Sequence, residues 1–167
     1  MKPIDVAITD YPQMVQSFQG ESDRGAAVLA GSYVENFLGL YLRSCMVDLT
    51  LAEKMFLSNG PLSTFSQRID FAQAFGLLSF GACKDLHLIR RIRNHFAHYP
   101  LDASFTKSPV REWVTELISS RTEVPMEGGG AFKLDDGKTA YLVSAGLFVA
   151  FAHDKMQGKN RERRHRE

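Results

Sequence analysis

The chain is poor in cysteine, and the two it has, Cys45 and Cys83, stand apart with no CxxC and no histidine or second cysteine at ligand spacing. That pattern argues against a structural zinc site, and isolated thiols suit a reducing cytoplasm. Neither a metal nor a cofactor is expected. Long apolar runs are also missing, since even Ala140–Ala152 is only helix-sized, too short for a membrane span. The first residues, Met1-Lys2-Pro3-Ile4-Asp5, carry no signal-peptide-like apolar stretch, so a cytoplasmic protein without membrane attachment is expected. Gly128-Gly129-Gly130 precedes no predicted helix that could hold a phosphate at its N-terminus, which argues against a nucleotide loop. Internal repeats and a second domain are absent as well.

What remains is one globular domain. The 167 residues are 44% hydrophobic, enough to bury a full core. Net charge is +1 but unevenly spread, because six of the 20 basic residues fall from Lys155 onward. A domain over 1–156 is expected to end in a basic, disordered tail at 157–167. Such a tail is either a solvated terminus or a contact for nucleic acid phosphates.

Apolar periodicity predicts helices almost throughout, giving an all-α, up-and-down bundle of five to six helices. A short segment covers Tyr11 to Phe18. Asp23 is placed to cap a long helix from Arg24 to Met46, in which Val28, Leu29, Tyr33, Phe37, Leu40 and Tyr41 recur at helical spacing. Its apolar density puts it in the middle of the bundle. Leu49 to Leu57 continues the pattern until Ser58-Asn59-Gly60-Pro61 breaks it. Phe65 to Phe75 follows, then a helix from about Gly81 that buries Leu86, Ile89, Ile92 and Phe96 and stops at Tyr99-Pro100. Ser108 and Pro109 resemble an N-cap and first-turn proline for a helix through Ile118. A loop or small hairpin is expected near 124–137, and a last apolar helix from Thr139 to Met156. Tyr33, Phe37 and Phe75 read as core.

The most informative stretch is Arg93-Asn94-His95-Phe96-Ala97-His98. At about 100° per residue, Arg90, Asn94 and His98 share one helical stripe. Arg93 lies about 140° from His98, but its long arm can reach back. Arginine offers a permanent cation with forked donors for phosphate, and histidine titrates near neutral pH. Together they are what a metal-free ribonuclease requires. The same residues also read as a plain helix end, with His98 at the negative dipole terminus and Arg93 paired to an acidic neighbour.

Val34-Glu35, Gly60-Pro61-Leu62, Phe65-Ser66-Gln67-Arg68-Ile69, Phe75-Gly76-Leu77-Leu78, Asp85-Leu86 and Ser104-Phe105 resemble the mannitol repressor-like regulators over Gly25 to Val110, about half the chain. The resemblance implies a helical bundle akin to the HEPN (higher eukaryotes and prokaryotes nucleotide-binding) domains. Many of those are ribonucleases that use an arginine, a polar residue and a histidine four to six positions apart. Arg93, Asn94 and His98 fit, with four residues between Arg93 and His98. The well-known mannitol repressors look degenerate at this motif, whereas this chain has all three residues. Kinship to the regulators implies action through a regulatory protein partner; an intact motif implies metal-independent RNA cleavage, in a toxin with an antitoxin or in host defence.

For an enzyme, His98 would move protons at the ribose 2′-hydroxyl or the leaving 5′-oxygen. Arg93 would hold the phosphate, and Asn94 would orient the imidazole or donate to phosphate. One histidine cannot readily be both acid and base, so a homodimer pairing two motifs is expected. Arg90, His95 and Glu35 are supporting candidates: His95 for RNA contact or packing, Glu35 as the acid paired with Arg93 or His98. His87 and His153 read as ordinary histidines, and Asp135-Asp136 as turn formers.

Overall fold

Local chemistry at the helix starts sets the elements of the computed structural model, which describes residues 11–99, 101–118, 124–125, 131–132 and 136–164. Seven helices are described: α1 (Tyr11–Gln19), α2 (Asp23–Cys45), α3 (Leu49–Met55), α4 (Phe65–Ala74), α5 (Phe80–His98), α6 (Val110–Thr115) and α7 (Gly137–Arg164). The Asp48 carboxylate accepts the Leu51 N–H at 2.9 Å. Thr64 and Gln67 form a reciprocal capping box at the start of α4. Ser79 accepts the Ala82 N–H at 3.2 Å to open α5, and Asp136 accepts the Thr139 N–H at 2.8 Å to open α7. Each satisfies a backbone donor that a helix start leaves without an intrahelical acceptor.

The architecture is an all-α bundle. α2 lies against α1, α3, α4, α5 and α7, so the central position expected from its apolar density is the one it occupies. Ala26, Ala27, Ala30, Val34, Leu38 and Leu42 of α2 are fully buried against Ile69 of α4, Ile89, Ile92 and Phe96 of α5, and Tyr141, Leu142 and Ala145 of α7. Tyr141 is large, buried and polar at its tip; its hydroxyl donates to the Ala27 carbonyl at 2.9 Å, and burial pushes its pKa up. In the region expected to be a loop or hairpin, Val124–Pro125 pairs antiparallel with Ala131–Phe132. Among the described residues, no helix is long and apolar enough to cross a membrane.

Several local expectations are corrected. Ser22, not Asp23, caps α2, its hydroxyl accepting the Gly25 N–H at 3.0 Å. Asp23 instead accepts the Ser104 hydroxyl at 3.0 Å and the Phe105 N–H at 3.2 Å, tying the segment after α5 to the start of α2. Ser108 does not cap α6, where Pro109 holds the cap position without a side-chain bond and the helix ends at Thr115. The Glu112 backbone N–H and then the Ser108 hydroxyl hold the Glu112 carboxyl below its ordinary pKa. Phe75 is not core: it is 68% exposed, just past the end of α4, and stacks on Phe71 with ring centroids 4.3 Å apart. Leu29 faces outward too, because alanines of α2 take the close-packed side. Helical backbone runs to Arg164 and so covers 157–164 of the segment expected as a tail.

Candidate functional site

Burial of Leu86, Ile89, Ile92 and Phe96 fixes the rotation of α5 and hence where the motif residues point. Arg93 falls on the flank facing α2. There the two backbones approach so closely that a Cβ on Gly31 would lie 2.7 Å from Arg93 Cβ and 2.8 Å from its Cγ. A residue without a side chain is what lets the arginine stem lie down. One turn further along α2, Glu35 meets the guanidinium, with Arg93 Nη2 3.2 Å from Glu35 Oε2. Of the two partners open to Glu35 in the sequence, the structure gives it Arg93. Nη1 makes a long, 3.5 Å hydrogen bond to Asn94 Oδ1.

Glu35 serves a second arginine, which sequence reasoning quoted only as part of a resemblance. Arg68 of α4 lies 3.7 Å from Glu35 Oε1. Its Nε donates to the Leu62 carbonyl at 2.9 Å, and its terminal nitrogens donate to the Ser63 and Glu35 carbonyls at 3.3 and 3.4 Å. The Gly60-Pro61-Leu62 turn is thereby clamped onto α2. Gly60 itself is pressed on the end of α3, where a Cβ would overlap the Met55 carbonyl oxygen and lie 2.7 Å from that of Lys54. The guanidinium of Arg43 stacks 3.8 Å over the Phe56 ring. Burial and the neighbouring Arg68 charge lower the Arg43 pKa, and burial lowers that of Arg68 against the opposing pull of Glu35. Co-occurrence of Glu35, the Gly-Pro-Leu turn and Arg68 in one sequence pattern was the available signal for this clamp.

The remaining motif residues lie elsewhere around α5. His98 is exposed, and its imidazole forms no hydrogen bond or ion pair among the described residues. Asn94 is half-buried beside Arg93. Arg90 is half-buried too, and its Nε is buried without a described hydrogen-bond partner. His95 packs rather than reaching out: it lies against Tyr99 (4.7 Å between centroids) and edge-on to Trp113 (5.6 Å), with Arg91 over the same indole at 5.4 Å. His87 Nε2 is 3.4 Å from Asp70 Oδ1. Cys83, one turn before His87, is fully buried, and burial followed by the Asp70 charge raises its thiol pKa, which suits an inert core thiol. Among the described residues, no group of three or more His, Cys, Asp or Glu side chains could hold a metal ion.

The site is thus an Arg93–Glu35–Arg68 ion-pair chain locking α5, α2 and α4, with an unpartnered histidine at the end of α5. Its arginine is already ion-paired to a carboxylate, which it shares with Arg68. No family model matches the chain, and no curated protein sequence matches it. Among solved structures, a chain in the X-ray structure of the MtlR-HPr complex from Escherichia coli is similar, with a TM-score of 0.62. The match spans 87% of this chain and 97% of that one, at 16% sequence identity. At that identity the likeness is one of fold, and the chain is similar in architecture to the MtlR-like helical bundle.

Proposed function

We propose that this chain is a non-catalytic, mannitol repressor-like regulator that acts through protein–protein contacts. The observation that carries this reading is the engagement of Arg93. Its stem is pinned on Gly31 and its guanidinium is ion-paired to Glu35. A phosphate entering there would have to compete with a carboxylate held in place by a second arginine, which weakens the case for a phosphate clamp. The fold likeness to the MtlR-HPr structure supports a protein partner for this chain, as the neighbour's complex with HPr illustrates.

A second reading keeps the motif as a HEPN-type ribonuclease, and one observation favours it: His98 is exposed and unpartnered among the described residues, one turn beyond the Arg93–Asn94 contact. In a homodimer with two such helix ends opposed, one His98 would take the 2′-hydroxyl proton while the other protonates the leaving 5′-oxygen. The products would be a 2′,3′-cyclic phosphate and a 5′-hydroxyl. The experiment that separates the readings is incubation of the purified chain with total RNA in EDTA beside His98→Ala. Intact RNA in both supports the regulator; cleavage by the wild type that is lost in His98→Ala overturns it in favour of the enzyme.

A further inference from the structure

A groove of about 530 Å³ opens on the side of α5 formed by its first half, away from the Arg93–Glu35 pair. That volume lies within the roughly 300–1,000 Å³ typical of small-molecule sites. Its floor is apolar, with Leu78, Leu86 and Ile89 on one side and Phe148 on the other. Its rim is apolar as well, yet open to water: Ile118 is 52% exposed, Leu147 46% and Phe151 37%. Ser144, Leu147, Phe148, Phe151 and Lys155 fall at i, i+3, i+4, i+7 and i+11 along one face of α7. At 1.5 Å per residue that stripe is about 16 Å long.

The charges at the groove are unequal. Asp85 is engaged, its carboxylate oxygens accepting the Ile118 N–H at 3.3 Å. Lys155 ends the stripe on α7, exposed, its ammonium 5.8 Å from the Phe151 ring centroid and without an ion pair among the described residues. The groove therefore offers a long apolar trough with one cation at its end. A wholly polar ligand would lose its hydration against the Leu and Phe walls without replacement. A neutral hydrocarbon would make no use of the ammonium.

We propose that this groove is a binding site for a free amphipathic carboxylate, an acyl chain lying along Leu86, Ile89, Leu147 and Phe148 with its carboxylate at Lys155. The site is independent of the protein-contact reading, since it shares no residue with the Arg93–Glu35–Arg68 chain. The apolar chain supplies the affinity through burial. The exposed ion pair contributes a smaller share and sets the orientation.

The test is titration of the full chain with dodecanoate, followed by calorimetry and by methyl NMR of the leucine and isoleucine side chains. Saturable binding with shifts centred on Leu86, Ile89 and Leu147 is expected. Lys155→Glu should weaken dodecanoate roughly fivefold while leaving dodecanol binding unchanged. Leu147→Asp should weaken both ligands, and Leu51→Asp on α3 neither. Circular dichroism melts of these surface variants control for folding. Equal binding of dodecanoate by wild type and Lys155→Glu would overturn the proposal, as would methyl shifts scattered away from the groove. Absence of dodecanoate binding, with a concentration-dependent dimer dispersed by Leu147→Asp, would assign the groove to a second copy of the chain and overturn it also.

Discussion

Arg93 and Glu35 hold α5 to α2 through a single contact, Nη2 to Oε2 at 3.2 Å, with both side chains only partly exposed, 29% and 22%. Because Glu35 also faces Arg68, one carboxylate balances two guanidinium groups. Removing it leaves two partly buried cations without the carboxylate they share, which is the geometry the first prediction uses.

Glu35→Gln should destabilise the fold by about 1–3 kcal/mol. Breaking a fully buried pair costs about 3–5 kcal/mol and an exposed one about 0–1 kcal/mol, and this pair lies between those limits. Urea unfolding measures it. A loss below about 0.5 kcal/mol, the range of an ordinary surface substitution, would mean that the arginines are held by packing and carbonyl bonds alone.

Gly31→Ala should destabilise by about 1–3 kcal/mol, the usual cost of forcing atoms into a packed interior. The gain of about 0.5–1 kcal/mol that alanine brings to a helix interior offsets part of this. Arg93→Ala should not rescue it, because the conflict begins at Arg93 Cβ. Thermal melts of both single variants and the double variant would show it, and full recovery in the double would place the conflict further out along the arginine stem.

Arg68→Lys should behave as a non-conservative change. A lysine ammonium cannot copy a fork that reaches the Leu62, Ser63 and Glu35 carbonyls together. The expected cost is about 1–3 kcal/mol, from partly buried acceptors left unmet. Faster amide exchange over 60–63 than in the wild type is the measurement. Unchanged protection there would count against the clamp.

Asp136 gives a pH prediction with a definite sign. The Thr139 hydroxyl bond is the largest cause holding its carboxyl below the ordinary aspartate value, and backbone N–H bonds add to it. A group whose folded pKa is depressed contributes stability above its unfolded pKa, about 3.9. That contribution is lost as pH falls from there through the lower folded value. Asp136→Asn, which keeps a capping oxygen but not the charge, should therefore lower stability at neutral pH by what the ionised carboxylate contributes and flatten the loss as pH falls below about 4. Stability curves of the two proteins that run parallel through that range would contradict the assignment.

Much of the fold was legible because helix signals are local. Apolar residues at three- and four-residue spacing, breaks at Gly60-Pro61 and Tyr99-Pro100, and capping residues act within a turn of the chain. They bracketed every described helix, with errors mainly at the ends. The errors have a common cause. Ser22 and Asp23 both offer a capping oxygen, and Asp23 is drawn off by Ser104 and Phe105, far away in sequence. Phe75 is apolar enough for a core, but it lies beyond the last turn of α4, where it stacks on Phe71 and stays 68% exposed.

The amino-acid sequence by itself determined the helices, their order and the buried stripe of α5, since periodicity and capping depend on neighbours a few residues apart. It also placed Arg93, Asn94 and His98 on one helix. Tertiary structure alone decided what those residues have for company. Arg93 is drawn to Glu35, His98 is left exposed, and Arg68 closes the ion-pair chain from a third helix. The reason is physical: a charge takes the nearest opposite charge in three dimensions, and Gly31 brings α2 close enough for Glu35 to be that charge.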